Sequence, residues 1–150
     1  MRRALLVGLG GLVAIQLVPV SRDNGPGTVD AVEAPPEVTA LLRRVCANCH
    51  SGATEWPWYS RVAPVSWLVA HDVHHGREHL DLATLPAAKP KRKAKLFGEI
   101  AEEVEEHGMP PRTYRLMHPE ARLTDAERKA IVDWANAAED AALGTAGTGQ

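Results

Sequence analysis

The two cysteines of this chain stand three positions apart, and a histidine follows the second one directly, in the segment Cys46-Ala47-Asn48-Cys49-His50. At this spacing two thiols lie one helical turn apart, so that both can add to the two vinyl groups of a haem. The imidazole beside the second thioether is then held under the iron as the proximal ligand. We therefore predict one covalently attached haem c, with Cys46 and Cys49 as thioether sites and His50 as an iron ligand.

The composition favours a bulky cofactor. The chain has one Phe, two Tyr and four Trp, so it has little aromatic volume with which to fill an interior. A buried flat cofactor would supply the missing bulk. Covalent attachment would also let a short chain keep that cofactor without enclosing it fully.

Three other uses of the cysteines stay open at this point. A structural disulfide is possible in an oxidising compartment but leaves His50 without a role. A thioredoxin-like redox motif needs a strand-helix-strand context, and no strand pattern is found. A zinc site would combine the two cysteines with two downstream histidines, drawn from His71, His74, His75 and His79.

Met109 is the predicted distal iron ligand. It lies directly before Pro110-Pro111, so it sits on a constrained loop that can present a thioether to the open side of the iron. Met117 is a weaker candidate because its neighbours suggest packing. Imidazole ligation is the alternative, and His107 is the first to test among the histidines of the folded part, which are His71, His74, His75, His79, His107 and His118.

Residues 1–20 have the pattern of an export signal. Two arginines precede an apolar run from Ala4 to Val20. A run of roughly 17 residues is longer than a signal-peptide core and slightly shorter than a membrane span, so both a signal peptide and a transmembrane anchor remain open. The arginines would stay in the cytoplasm, which places the rest of the chain on the outer, periplasmic side of the cytoplasmic membrane.

The remaining chain divides into three segments. Residues 21–36 contain several glycines and prolines and are predicted to be a flexible linker. Residues 37–142 are predicted to form the haem-binding domain, and residues 143–150 a disordered tail.

The domain is predicted to be all-α. Apolar side chains at helical spacing indicate helices before Cys46 and near residues 96–104, the second of these ending at Gly108. Residues 66–80 contain no helix breaker except Gly76 and are also expected to be helical. A Pro- and Lys-rich connector is expected over residues 86–95. Thr124 and Glu127 have the spacing of a capping box, which predicts the start of a final helix.

The net charge argues against a nucleic-acid partner. At −2 the chain has no field of the kind that attracts DNA or RNA. A local basic run is a candidate docking site for an acidic redox partner, although an acidic helix follows and offsets its charge. That run consists of Lys89, Lys91, Arg92, Lys93 and Lys95.

Further motifs carry a resemblance to a known family. They are Cys49-His50-Ser51, Trp56-Pro57-Trp58-Tyr59-Ser60, Ala63-Pro64-Val65-Ser66-Trp67-Leu68, Gly76-Arg77, Met109-Pro110-Pro111, Tyr114, His118-Pro119-Glu120-Ala121 and Leu123-Thr124-Asp125. Over roughly residues 36–138 the chain resembles the bacterial haem-binding domain family of small, membrane-tethered or periplasmic c-type cytochromes. One departure is the segment His79-Leu80-Asp81-Leu82-Ala83, where the family tends to have an Asn-Phe-Ser-x-Trp stretch.

The resemblance implies a cytochrome c-like, mostly α-helical domain with a single haem. It implies Cys46 and Cys49 as thioether sites, His50 as proximal ligand and Met109 in the distal position. The aromatic segment is expected to line the haem crevice through Trp56, Trp58 and Trp67. Contacts from Tyr59, Arg61 or Arg77 to a haem propionate are the alternative role for this region.

The function expected from these observations is one-electron transfer rather than catalysis. Partners would be a redox protein or a quinol-linked membrane complex, with membrane attachment through the N-terminal segment. A peroxidase-like enzyme or a gas or redox sensor is the first alternative, since a labile sixth ligand would allow such chemistry. An accessory subunit whose haem is structural is the second.

Overall fold

The computed structural model describes residues 2–147, with side-chain burial described up to residue 145. Within that part the chain forms seven α-helices and no strand, which confirms the predicted all-α class. The helices are α1 (Arg2–Ile15), α2 (Pro36–Val45), α3 (Ala47–His50), α4 (Val65–His79), α5 (Pro90–Glu105), α6 (Arg112–Met117) and α7 (Asp125–Gly147). Short 3-10 turns are formed by Val29–Ala31, Trp58–Arg61, Leu85–Ala87 and Pro119–Ala121.

The core lies mainly between α5 and α7. Phe97 of α5 meets Trp134 of α7 edge to face, with ring centroids 5.4 Å apart. Ile131 and Ala135 of α7 are completely buried in the same cluster. Apolar burial of this kind is the main stabilising contribution to a domain of this size.

The predicted capping box fixes the start of α7. The backbone N–H of Thr124 donates to Glu127 Oε2 over 2.8 Å, and the N–H of Glu127 donates to Thr124 Oγ1 over 3.2 Å. Two backbone donors that the helix itself cannot satisfy are therefore paired.

Helix α2 packs onto this core through Val38, Leu42 and Val45. On its other side Arg44 forms an ion pair with Glu127 at 2.7 Å. The helix that leads into the cysteines is thus anchored to the start of α7, which positions the candidate site relative to the core.

Two residues of the segment 21–36 are packed into the core, whereas the sequence predicted a flexible linker throughout. Val29 and Val32 are only 2% and 5% exposed and belong to the core. Gly27 adopts φ 86°, and its carbonyl accepts the N–H of Gly52 over 3.0 Å. The glycines and prolines bend the chain here, and burial of the two valines stabilises the bend.

Helix α5 begins at Pro90, so most of the predicted 86–95 connector is helical. Proline is well accepted at the first position of a helix, because its missing N–H would have no partner there. At the other end α5 stops at Glu105 rather than at Gly108, and His107 takes the left-handed conformation with φ 65°.

The predicted C-terminal tail, residues 143–150, is helical as far as Gly147. Helix α7 continues to Gly147, into the predicted tail 143–150, because its alanines and Leu143 are good helix formers. Residues 148–150 lie outside the described residues.

The N-terminal apolar run forms α1, whose side chains are not buried. No helix within residues 2–147 is both long and apolar enough to cross a membrane. After α1, the Gln16 side chain forms two hydrogen bonds with the backbone of Ala63. Its amide N–H donates to the Ala63 carbonyl over 3.1 Å, and its amide oxygen accepts from the Ala63 N–H over 2.9 Å.

Candidate haem site

Cys46 lies at the break between helices α2 and α3, and Cys49 lies within α3. Helix α2 ends at Val45, Cys46 adopts φ −115° and ψ −37°, and α3 begins at Ala47. The Cys46 carbonyl accepts the N–H groups of both Cys49 (3.1 Å) and His50 (3.0 Å). This turn places the two thiols one helical turn apart, as the predicted attachment requires.

Both thiols are free in the structure. Burial raises the pKa of the Cys46 thiol to about 12 and that of the Cys49 thiol to about 11. At neutral pH both groups therefore keep their protons. Cysteines that exchange disulfides have a lowered pKa, so the burial of these thiols does not favour a thioredoxin-like role.

The imidazole of His50 is oriented by the end of α4. Its Nδ1 lies 2.9 Å from the carbonyl oxygen of Leu80, and because a carbonyl only accepts, Nδ1 carries the proton. Burial lowers the pKa of His50, which keeps the ring neutral. The lone pair is therefore on Nε2, the arrangement that an iron ligand needs.

Gly76 allows α4 to approach this histidine closely. A Cβ at position 76 would lie 3.0 Å from the Cys49 carbonyl oxygen and 3.5 Å from His50 Cε1. Glycine inside a helix costs about 1 kcal/mol relative to alanine. The close packing of α4 on the Cys49-His50 segment is the structural reason for it.

Arg77 ties the loop after the cysteines to α4. Its guanidinium donates to the Ser51 carbonyl (2.9 Å), the Asp23 carbonyl (2.6 Å) and Thr54 Oγ1 (2.6 Å). Thr54 in turn donates to the Asn48 carbonyl over 2.7 Å. Three of the donors of Arg77 are committed to the protein, which makes it a clamp rather than a free propionate ligand.

A row of rings lies beside Cys49. It runs from Trp58 through Tyr59 and His118 to Tyr114, with neighbouring centroids 5.9, 6.2 and 4.3 Å apart. Asn48, between the two cysteines, donates to the hydroxyl of Tyr114 over 2.8 Å. Burial, with the nearby Cys49 as a smaller cause, raises the pKa of both tyrosines. We call these four residues the aromatic row.

Within the aromatic row, His118 connects a phenol to a carboxylate. Its Nδ1 lies 2.8 Å from Glu120 Oε1, and its Nε2 lies 2.6 Å from the Tyr59 hydroxyl. The N–H of Glu120 itself and the His118 side chain lower the pKa of Glu120. The ionised carboxylate therefore accepts from Nδ1–H, and Nε2 accepts from Tyr59.

The tryptophans are more exposed than crevice walls would be. Trp58 is 75% exposed and Trp67 is 37% exposed. The indole N–H of Trp56 donates to Asn24 Oδ1 over 2.6 Å. The side chain of Trp56 thus helps to hold the N-terminal segment in place, and the expected crevice-lining role of the tryptophans stays a prediction.

Met109 is half-buried and packs against the same core cluster as Cys46 and Tyr114. Its N–H donates to the Glu103 carbonyl over 3.0 Å. Met117 is 55% exposed, and His107 is exposed with its Nδ1 directed at the Glu105 carbonyl. Met109 is thus the candidate that packs against the cluster that Cys46 also contacts, and ligation by Met109 stays a prediction.

The residues at this site fit a c-type haem. They offer two protonated thiols one turn apart, a neutral imidazole with its Nε2 lone pair free, and an aromatic row next to the second thiol. Among the described side chains, no three His, Cys, Asp or Glu groups come together as a metal-ion site. The sequence pointed to the thiols and His50, but it gave no sign of the Leu80 carbonyl or of the Tyr59-His118-Glu120 chain, whose members are far apart along the chain.

Comparison with curated proteins finds similarity to "Cytochrome c peroxidase Ccp" of Escherichia coli (strain K12). The two chains are 29% identical over 109 residues, which is 69% of this chain and 23% of that protein. The chain therefore spans about a quarter of the length of this relative. No solved structure matches the chain.

The family profile described as "Haem-binding domain" matches residues 10–137. The match includes α2 to α6, most of α7 and every predicted site residue. The protein is therefore a member of the haem-binding domain family.

Proposed function

We propose that this chain is an exported, monohaem c-type cytochrome domain that transfers one electron at a time on the periplasmic side of the cytoplasmic membrane. The observation that supports this most strongly is the state of His50: its Nδ1–H is bonded to the Leu80 carbonyl, its ring is kept neutral by burial, and it follows a thiol held in the attachment turn.

The proposed roles of the residues follow from this geometry. Cys46 and Cys49 would hold the haem covalently, and His50 Nε2 would ligate its iron. When bound, the haem supplies a single iron that alternates between the ferric and ferrous states. The Leu80 carbonyl raises the basicity of the ligating nitrogen by hydrogen bonding, and the aromatic row limits access of water. The domain is not itself an enzyme in this proposal.

Attachment is tested by producing the full chain together with c-type maturation machinery. The intact mass is expected to exceed that of the polypeptide by one haem, and the Cys46→Ala/Cys49→Ala variant is expected to carry none. Met117→Ala is the matched control, expected to retain the added mass. A parent protein without added porphyrin mass would contradict the proposal.

The distal ligand is proposed to be Met109. A thioether ligand gives ferric haem a weak far-red absorption band, and Met109→Ala is expected to abolish it while Met117→Ala retains it. The midpoint potential should fall in Met109→Ala, since a thioether stabilises ferrous iron. A parent spectrum without this band would reject Met109 as the ligand.

Peroxide chemistry is the second candidate function. The relative named as a cytochrome c peroxidase and the hydrogen-bonded chain from Tyr59 through His118 to Glu120 favour it, because an imidazole held between a phenol and a carboxylate can move a proton. Carbon monoxide binding to the reduced protein separates the two candidates. Resistance supports the electron carrier, whereas ready binding supports the enzyme or a gas sensor.

Export and partners are part of the proposal. The apolar run in residues 1–20 would direct export, and a redox protein or quinol-linked membrane complex would exchange electrons with the haem. Fractionation of cells followed by mass analysis of the N-terminus tests export and shows whether the apolar run is cleaved. Haem-bearing chain in the periplasm or membrane is expected, and cytoplasmic accumulation would contradict export.

A further inference from the structure

Helix α4 carries four of the seven histidines of the chain, and the haem accounts for none of them. His71, His75 and His79 follow one another at four-residue spacing, so they share one face of the helix. All three are exposed. His50, the proposed iron ligand, contacts α4 at Gly76.

The last two of these imidazoles converge. His75 Nε2 and His79 Nε2 lie 3.2 Å apart, and the ring centroids are 4.4 Å apart with planes at 66°. Two nitrogens bound to one tetrahedral zinc ion, each about 2.0–2.1 Å from the metal, are separated by about 3.3–3.4 Å. The two nitrogens thus already have the separation that a shared ion requires.

The charges near the pair are mixed, since Arg77 and Arg92 line the same cavity as His79, together with Glu78 and Asp81. Helix α4 contains one Lys or Arg, Arg77, and its guanidinium is held by the loop at Ser51 and Thr54. Asp72 and Glu78 are carboxylates on the same helix. The two carboxylates offset the charge of Arg77 along this helix.

We infer that His75 and His79 form a binding site for a divalent late first-row transition metal ion such as Zn²⁺ or Cu²⁺, separate from the haem. A pair of histidines at i and i+4 on a helix is an established way to bind such ions, and imidazole suits Zn²⁺, Cu²⁺ and Ni²⁺. In the metal-free protein one Nε2–H donates to the other Nε2. When the ion binds, that proton moves to Nδ1 of the same ring, so both Nε2 atoms ligate and no proton is lost.

The site is open. No third His, Cys, Asp or Glu of the described residues completes it. The ring of His71 stacks on His75 with centroids 5.5 Å apart and planes at 27°, which packs the two rings face to face instead of directing both at one point. Water fills the remaining coordination positions, and the affinity order is Cu²⁺ above Zn²⁺.

Isothermal titration of the full, haem-bearing ferric chain with ZnCl₂ tests the site. One ion per chain is expected, and His75→Ala and His79→Ala are each expected to weaken binding on the order of tenfold or more. His74→Ala is the matched control. This histidine is on the same helix, but its Nε2 lies 3.3 Å from the Ser21 carbonyl, and its removal is expected to leave the affinity unchanged.

Folding of the variants is checked by haem content and far-ultraviolet circular dichroism, and His75→Gln and His79→Gln serve as milder substitutions. In the ferrous, diamagnetic protein, Zn²⁺ is expected to shift the ring-nitrogen resonances of His75 and His79 and not those of His74. Absence of binding, or binding that the substitutions at positions 75 and 79 leave intact, would overturn the inference. None of these readouts depends on electron transfer, so the site can fail while the cytochrome proposal stands.

Discussion

The two halves of the domain are held together by different forces. The half built from α2, α5 and α7 has a continuous apolar core that includes Ile131 and Ala135 with no exposed surface. The half built from α3, α4 and the aromatic row buries few apolar side chains: Ala70 and Val73 of α4 lie outside that core, and Ala47 of α3 joins it. Hydrogen bonds from Arg77, Thr54 and Ser51 hold it instead.

This difference indicates which half of the domain would depend on the cofactor for its stability. The first half has the buried apolar surface that stabilises a fold on its own, whereas the second half exposes large apolar side chains such as Trp58 and Leu68. A haem attached at Cys46 and Cys49 would add its apolar surface to the second half. Substitutions in the two halves should therefore have different consequences.

The largest effect is expected in the apolar half. Ile131→Ala removes a completely buried side chain and should lower the free energy of unfolding by about 2–5 kcal/mol. Urea denaturation followed by circular dichroism measures this. Val132→Ala, at the half-buried neighbouring position of α7, should cost clearly less, and equal losses would contradict the assignment of the core.

In the polar half, Arg77→Ala removes three hydrogen bonds from one half-buried guanidinium. Because hydrogen bonds of charged groups contribute about 1.5–3 kcal/mol each when buried and less when exposed, a total loss of roughly 2–3 kcal/mol is expected. Hydrogen exchange should rise first in residues 51–54. Arg61→Ala, at an exposed position, is the control, and a similar loss there would mean that charge alone is responsible.

A pair of glycines compares the halves directly. A Cβ at Gly76 would meet the Cys49 backbone at 3.0 Å, whereas a Cβ at Gly98 in α5 would meet the carboxylate of Glu139 at 3.0–3.1 Å. Backbone cannot move aside, but the end of a Glu side chain can. Gly76→Ala is expected to destabilise the protein by about 1–2 kcal/mol, and Gly98→Ala to stabilise it by up to about 1 kcal/mol because alanine is the better helix former.

Thermal unfolding of both glycine variants measures these changes. The Gly76→Ala protein should also show an altered haem spectrum after maturation, since the new methyl group presses on the segment that carries His50. If Gly76→Ala were as stable as Gly98→Ala, the close packing of α4 on that segment would be refuted.

The smallest effect is expected at the capping box. Thr124→Ala removes one cap and should cost about 1 kcal/mol.

The Thr124 N–H, followed by Arg44, lowers the pKa of Glu127, so this carboxylate stabilises the fold above its unfolded pKa near 4.5 and loses that contribution as the pH falls below it. Stability measured between pH 6 and pH 3 should therefore fall less steeply in Glu127→Gln than in the parent.

Local patterns in the sequence predicted the elements that depend on local chemistry. The all-α class, the helix into Cys46, the start of α7 at Thr124 and the turn between the cysteines all follow from spacing within a few residues. The family membership followed from motifs that are themselves short.

Features that join distant segments were not predictable in this way. The packing of Val29 and Val32, the three contacts of Arg77 and the contact of Tyr59 with His118 each depend on chain folding over tens of residues. The burial of Val29 and Val32 was missed for the same reason, since the composition of residues 21–36 is that of a linker. The early start of α5 was missed because a run of lysines has no apolar period.

The partner that orients His50 is a main-chain oxygen, at the residue where α4 terminates. Every amino acid at position 80 would present the same atom, so exchange of the Leu80 side chain cannot delete this acceptor. What tunes the proposed iron ligand is therefore the path of the peptide chain, and alignments that compare residue identities will overlook it. Insertions or deletions in α4 would move the Leu80 carbonyl and so change the orientation of the proposed iron ligand.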